Sequence, residues 1–357
     1  MIELTRRDIG RAALSTAAVA AIGLDTRASA QSPAPAVSDE ALLATVNPEL
    51  REYARPMLAW REGPPLSQTY RNIRGQAGTP PQLAGDVPVE TRVVRVPGPA
   101  ADVTVYVINA GGENRPAILH THGGGYVLGD ARGEIPGKQA FAKALDCVIV
   151  TVDYALAPEA TYRVSVEQNY AALKWLHDNA TSLGVDRANI AVMGESAGGG
   201  HAALLAIAAR DRGEVPLAFQ CLVYPMLDDR TGSGRTPTWP IGQLAWDAPA
   251  NRFGWQSFLG QQPGTSRVPA AAVPVRTTSL AGLPPAFIGV GSIDLFVDED
   301  VAYARRLIDA AVPTELHVVP GAFHGFDSAA AGTSIARQFT LAKTNALRRA
   351  FGKAAEG

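Results

Sequence analysis

The chain has little of what several large function classes need. Of its 357 residues only two are cysteine, Cys147 and Cys221. A disulfide framework needs more, and neither thiol has metal-ligand spacing. Both sit in apolar runs, where a free cysteine behaves as a small buried hydrophobe. Charge of either sign is scarce: charged residues make up 18%, with 32 Lys+Arg against 34 Asp+Glu. No positive field exists to hold a phosphate backbone, so a nucleic-acid partner is not expected. Membrane-length apolar runs are also missing, the best candidate being well short of the roughly 20 residues that span a bilayer. What the chain does have is 46% hydrophobic residues, 35 Gly and 26 Pro. That composition fits a large α/β domain with many tight turns.

The first thirty residues read as an export address. Arg6-Arg7 lies in a short polar stretch, an alanine-rich apolar run covers 12–24, and Ala28-Ser29-Ala30 offers a small-x-small cleavage site before Gln31. This is the order of a twin-arginine-type signal peptide, residues 1–30, and it predicts a bacterial periplasmic or secreted protein with no stable membrane anchor once the signal is removed.

After Gln31 comes a short Pro/Ala/Ser stretch and then helical text over 39–74. A Pro/Gly segment, 75–88, precedes two period-2 segments at 91–96 and 103–108, expected to pair antiparallel. From Pro116 onward apolar strands at 117–119, 147–152, 190–193, 218–223, 286–290 and 315–319 alternate with helices at about 135–145, 164–183, 198–211, 298–311 and 331–350. That alternation predicts βαβ units and a mostly parallel sheet covered by helices on both faces. Between about 225 and 274 no strand is legible, and Trp239, Trp246, Phe253, Trp255 and Phe258 are concentrated there. An aromatic insertion beside a sheet edge reads as a cap, or else as a helical insertion packed on the core.

Three segments carry chemistry. Gly194-Glu-Ser196-Ala-Gly198 follows a buried strand and opens an alanine-rich helix. A sharp strand-to-helix turn of this kind lifts a serine hydroxyl clear of the backbone and admits only small neighbours. It also aims N–H groups at a helix N-terminus, where a developing anion is stabilised. His122-Gly123-Gly124-Gly125-Tyr126 follows the 117–119 strand. Three consecutive glycines cost conformational entropy and need a reason, here close approach of backbone N–H donors to a reacting oxygen. Gly123, Gly124, Gly125 and Ala197 are therefore the expected oxyanion donors, with His122 propping the loop. Of the six histidines, only His201, His317 and His324 follow Ser196, and His324 alone sits in a loop after the last expected strand. Asp294, at the end of the 286–290 strand, is expected to orient it. Asp298, Glu299 and Asp300 are the alternatives, although acids in a first helical turn have a simpler explanation in the helix dipole.

Taken together, His122-Gly-Gly-Gly-Tyr126, Val152-Asp-Tyr-Ala-Leu-Ala-Pro-Glu159, Gly194-Glu-Ser-Ala-Gly-Gly199, Asp294-Leu-Phe-Val-Asp-Glu299 and His324-Gly-Phe326 resemble, in order and spacing, the hormone-sensitive-lipase-like esterases, the family IV group of bacterial lipolytic enzymes. The resemblance implies an α/β-hydrolase fold over 31–357, a mostly parallel sheet flanked by helices, with a helical cap from about 38–75 and 225–275. It implies a serine carboxylesterase acting on small, short-to-medium acyl or aromatic esters through Ser196, His324 and Asp294. No cofactor or metal is called for. The chain departs from the family pattern at Glu195, often Asp, at Ala155, usually Arg, and at Leu295, usually Pro. An amidase or acyltransferase on the same triad, or a ligand-binding protein without catalysis, are the alternatives, and a homodimer is left open. In the fold's usual strand order two strands separate those bearing Cys147 and Cys221, about 14 Å by strand spacing. A disulfide needs Cα atoms within about 7 Å, so both thiols are expected to stay free.

Overall fold

The computed structural model describes residues 38–76 and 81–355; the expected signal segment, 1–30, lies outside them. Eight strands form one sheet: β1 Val89–Val94, β2 Val103–Ile108, β3 Arg115–Thr121, β4 Val148–Asp153, β5 Val185–Glu195, β6 Phe219–Val223, β7 Ala286–Gly291 and β8 Thr314–Val319. Eleven α-helices accompany them among the described residues: α1 Asp39–Thr45, α2 Arg51–Leu58, α3 Leu66–Gly75, α4 Ala131–Leu145, α5 Tyr162–Asp178, α6 Ala180–Leu183, α7 Ala197–Arg212, α8 Ala248–Leu259, α9 Val297–Asp309, α10 Phe326–Ala329 and α11 Ser334–Ala350.

The strand order is β1-β2-β4-β3-β5-β6-β7-β8. β2 runs antiparallel to both β1 and β4, and every pairing from β4 to β8 is parallel. The parallel strands β4, β6 and β7 are buried almost throughout, because helices cover both faces of the sheet. Two large apolar clusters lie in the core. One includes Leu119, Val150, Val192 and Leu222 with α5, α7 and α9; the other includes Ile118, Ile149, Met193 and Cys221 with α4 and α11. Alternate residues of the same strands feed the two clusters, as the period of two requires.

The expected strands are all present, with shifted ends. β1 pairs Val94 with Val103 and stops there, two residues before the expected end, because the Val96 N–H turns away to the Asp102 carboxylate at 3.0 Å. α4 starts at Ala131, earlier than the expected 135, since Asp130 caps it by accepting from the Gly133 N–H at 2.7 Å. The expected 164–183 helix is two helices, divided at Asn179, whose backbone leaves helical geometry. α11 begins at Ser334 and not 331; Thr333 caps it, and the separate short α10 follows the 324 loop.

No strand occurs between β6 and β7, as expected for 225–274; the segment holds α8 and short 3-10 turns. Trp255 and Phe258 of α8 are fully buried against Tyr126, with the Tyr126 and Phe258 rings stacked at 3.9 Å. Phe253 meets Tyr70 of α3 with ring centroids 5.2 Å apart. The 38–75 and 225–275 segments thus touch each other above the glycine loop, and Arg74 ties α3 to it by donating to the Val127 carbonyl at 2.6 Å. Trp239, by contrast, is exposed. β3 and β5 stand between β4 and β6; Cys147 and Cys221 are buried and unpaired, their thiols pushed up to about 12 by burial.

Candidate active site

Ser196 sits between β5 and α7 with φ 58° and ψ −122°, a conformation that costs an ordinary side chain energy and persists only where the surroundings enforce it. They do so by backbone bonds. The Ser196 N–H donates to Val223 at 2.9 Å, and its carbonyl accepts from Gly200 at 3.0 Å and Met226 at 2.9 Å. The turn also brings α7 hard against β3. A Cβ on Gly198 would collide with the Thr121 and His122 carbonyl oxygens, so glycine is needed there for close approach.

His324 reaches the same point from the loop after β8. Its Nε2 is 2.9 Å from the Ser196 Oγ, and its Nδ1 is 2.8 Å from the Asp294 Oδ2. Asp294, three residues past β7, is 1% exposed and its Oδ1 accepts from the Phe296 N–H at 3.0 Å. Tyr224 and Phe296 pack edgewise on the imidazole at 4.8 and 5.1 Å. None of the three alternatives to Asp294 is hydrogen-bonded to His324. Asp298 is exposed. Glu299 accepts from the Leu227 and Asp228 N–H groups at 2.6 and 3.0 Å and from the Thr231 hydroxyl. Asp300 is buried, and neither carboxyl oxygen has a hydrogen-bond partner among the described residues; burial raises its carboxyl well above the usual range.

The glycine loop lies beside the serine. Gly123 is close enough that a Cβ there would touch the Ser196 Cβ at 3.4 Å, and a Cβ on Gly125 would collide with the Trp246 ring. Among the described residues, none of the N–H groups of Gly123, Gly124, Gly125 and Ala197 donates to a protein acceptor. His122 props the loop: its ring stacks on Tyr154 at 4.2 Å, its Nδ1 donates to the Gly123 carbonyl at 2.8 Å, and the Tyr154 hydroxyl donates to the His122 carbonyl at 2.7 Å. His201 is buried among Tyr126, Tyr154 and Phe258, and His317 lies on the edge strand β8; neither is among the residues around Ser196.

A cavity of about 600 Å³ opens onto Ser196 and His324, with Gly123, Gly124, Gly125 and Trp246 on one side. Its other side is one that reading the sequence missed. The Glu195 carboxylate is held by the Lys138 ammonium and the His120 Nε2, both at 2.7 Å. Burial by itself would raise this carboxyl, but Lys138 and His120 hold it well below the usual carboxylate range. Further along, Asp327 accepts from the Tyr224 hydroxyl at 2.8 Å and from the Lys343 ammonium at 2.7 Å. The departure at Glu195 was the only signal in the chain; nothing local marks Lys138, Asp327 or Lys343.

The chain is similar to known α/β hydrolases and ester hydrolases. A family model described as α/β hydrolase fold matches residues 118–328. The carboxylesterase NlhH of Mycobacterium tuberculosis is 35% identical over 286 residues, 77% of this chain and 86% of that protein. Among solved structures, a bacterial heroin esterase superposes with a TM-score of 0.76 at 31% identity, covering 87% of this chain and 99% of that one. The hyperthermophilic esterase of Pyrobaculum calidifontis gives 0.70 at 28% identity, covering 86% and 98%.

Proposed function

The chain belongs to the α/β-hydrolase-fold family, in its hormone-sensitive-lipase-like branch, and is a carboxylic-ester hydrolase; on that premise we propose that it works through Ser196, His324 and Asp294. The observation that carries the reading is the unbroken line from the Asp294 carboxylate to the His324 ring to the Ser196 hydroxyl, at 2.8 and 2.9 Å. His324 Nε2 takes the Ser196 proton as Oγ attacks the ester carbonyl. The negative charge that forms on the carbonyl oxygen is met by N–H groups of the Gly123–Gly125 loop and Ala197, which donate to no acceptor among the described residues. The tetrahedral intermediate collapses, the C–O bond to the alcohol breaks, and His324 returns the proton to the leaving oxygen. Water then repeats the two steps on the acyl-serine, releasing the acid and free Ser196. Asp294, buried and bonded to Nδ1, holds the ring in the required tautomer and stabilises its charged form.

The substrates are small short-to-medium acyl or aromatic esters. A cavity of about 600 Å³ supports this, being sized for a compact ligand, and α3, α8 and Trp246 act as a cap that limits chain length. Hydrolysis rates over acyl lengths from acetate to palmitate test it: a maximum at the short end is expected, and a maximum at palmitate overturns it. We further propose that residues 1–30 export the chain by the twin-arginine route. Replacing Arg6 and Arg7 with Lys should leave the protein inside the cell in a fractionation assay, and unchanged export would refute that route. Among the described residues, no helix is long and apolar enough to cross a membrane.

A further inference from the structure

The charged side of the cavity does more than close it. Lys343 of α11 and Asp327 of α10 line the same cavity as Ser196, and both are nearly buried, at 7% and 8% exposure. The Lys343 ammonium has three donors and makes one hydrogen bond among the described residues, to Asp327, with the Phe339 ring 5.5 Å away. Two of its N–H donors have no protein partner among the described residues, on a residue that lines the cavity. Burial would drive the proton off this amine, but Asp327 and Glu195 outweigh it and keep the group charged.

The wall selects by elimination. An alkyl chain pressed against it would exclude water and leave the ammonium donors without partners, a cost a polar ligand avoids. A carboxylate or phosphate would find no spare positive charge: Lys343 is balanced by Asp327, and Lys138 by Glu195, with Glu134 a third carboxylate at 3.8 Å from Lys138. A cation would find Asp327 already neutralised by Lys343 and Glu195 by Lys138. What remains is a neutral oxygen that accepts a hydrogen bond. Its place in the substrate follows from the chemistry. The leaving oxygen must face His324 Nε2 to receive its proton, and Asp327 and Ser328, three and four residues after His324, line the same cavity.

We propose that Lys343, held by Asp327, which in turn accepts from Tyr224, forms a subsite for a neutral hydroxyl or carbonyl group on the alcohol part of the ester, so that the preferred substrates are esters of hydroxylated or oxygen-bearing alcohols. This rests on the esterase reading through Ser196. The test compares kcat/KM for hydroxybutyl acetate with that for pentyl acetate, its apolar match in length, and for a methyl hydroxyalkanoate with its alkyl match as the acyl-side arm. The wild-type enzyme should favour hydroxybutyl acetate by about tenfold, the effect of one well-placed hydrogen bond, with no such preference in the acyl arm. In the double variant Asp327→Leu/Lys343→Met, which removes the pair together, the ratio should fall to about one or below. A wild-type preference for pentyl acetate, a preference confined to the acyl arm, or an unchanged ratio in the double variant would each overturn the proposal. The wild-type ratio needs no variant, so the test stands even if the double variant does not fold. Fluorophosphonate labelling of Ser196 separates the two readings. Labelling with ester turnover but no polar preference defeats only this inference, whereas no labelling and no turnover defeats the esterase mechanism and the subsite with it.

Discussion

The two sides of the cavity are made of different materials. The side carrying Gly123, Gly124, Gly125 and the start of α7 is backbone: N–H groups aimed by tight turns, with Trp246 laid across Gly125. The side carrying Lys138, Glu195, Tyr224, Asp327 and Lys343 is side chain: two ion pairs fixed from α4, β3, the end of β5, the residue after β6, α10 and α11. Backbone donors are pre-aimed and cannot be tuned by single substitutions without moving the chain. Side-chain pairs can be exchanged without touching the turn. The first side is suited to the chemistry common to ester hydrolysis, and the second to choosing among esters.

Substitutions in the catalytic line should show the largest effects. Ser196→Ala removes the nucleophile, and kcat on a nitrophenyl ester should fall by about 10⁶, as when a serine nucleophile is deleted from a comparable triad. Asp294→Asn keeps the shape but spoils the tautomer, and a loss of about 10⁴ is expected. Asp298→Asn should stay within a few-fold of wild type; a reversal of these last two would move the acid off Asp294.

The backbone side comes next. Gly125→Ala puts a methyl group into the Trp246 ring at a φ of 60°. The displaced loop should cost about 10²- to 10³-fold in kcat, the value of one oxyanion donor. Pairing it with Trp246→Ala removes the collision and should recover part of the loss. No recovery would mean that backbone strain at Gly125, and not the cap residue, sets the cost.

On the charged side the expected effect is smaller and appears as stability. Lys138→Met leaves Glu195 with His120 alone, and should lower unfolding free energy by about 3 kcal/mol, at the low end for a broken pair because the Glu195 side chain retains 18% exposure. Urea denaturation measures it; an unchanged midpoint would show that the pair is no more than a solvated contact.

How much of each side was legible follows from the same contrast. The glycine side was legible because its residues are neighbours in the chain: Gly123 to Gly125 on one loop, Gly194 to Gly198 around Ser196. The parallel sheet was legible for a similar reason, since buried strands such as β4 and β7 are short unbroken apolar runs. Strand and helix ends were not, because they are set by single hydrogen bonds such as Asp102 to Val96 and Asp130 to Gly133. The charged side was invisible because it is assembled across long separations. Lys138 meets Glu195 from 57 positions away, and Tyr224 meets Asp327 from 103. A lysine in a helix next to surface residues carries no sign that it will be buried.

The smallest predicted effect lies outside the cavity and tests the packing beneath the glycine loop. Burial depresses the His201 imidazole to about 3 from an ordinary 6.5. Below pH 6.5 the unfolded chain takes up a proton that the folded chain refuses, so stability is lost as pH falls toward 3. This group should account for about 2 kcal/mol between pH 6.5 and 5. His201→Leu should flatten that part of a pH series of urea midpoints; an unaltered slope would mean that His201 is solvated in the folded chain.

The most direct test of the account is covalent capture of the nucleophile. The intact protein treated with a fluorophosphonate should gain one adduct, located by peptide mass on Ser196, with ester turnover lost in step, and Ser196→Ala should gain none. An unlabelled Ser196 in folded protein, or an adduct on another residue with turnover lost, would contradict it.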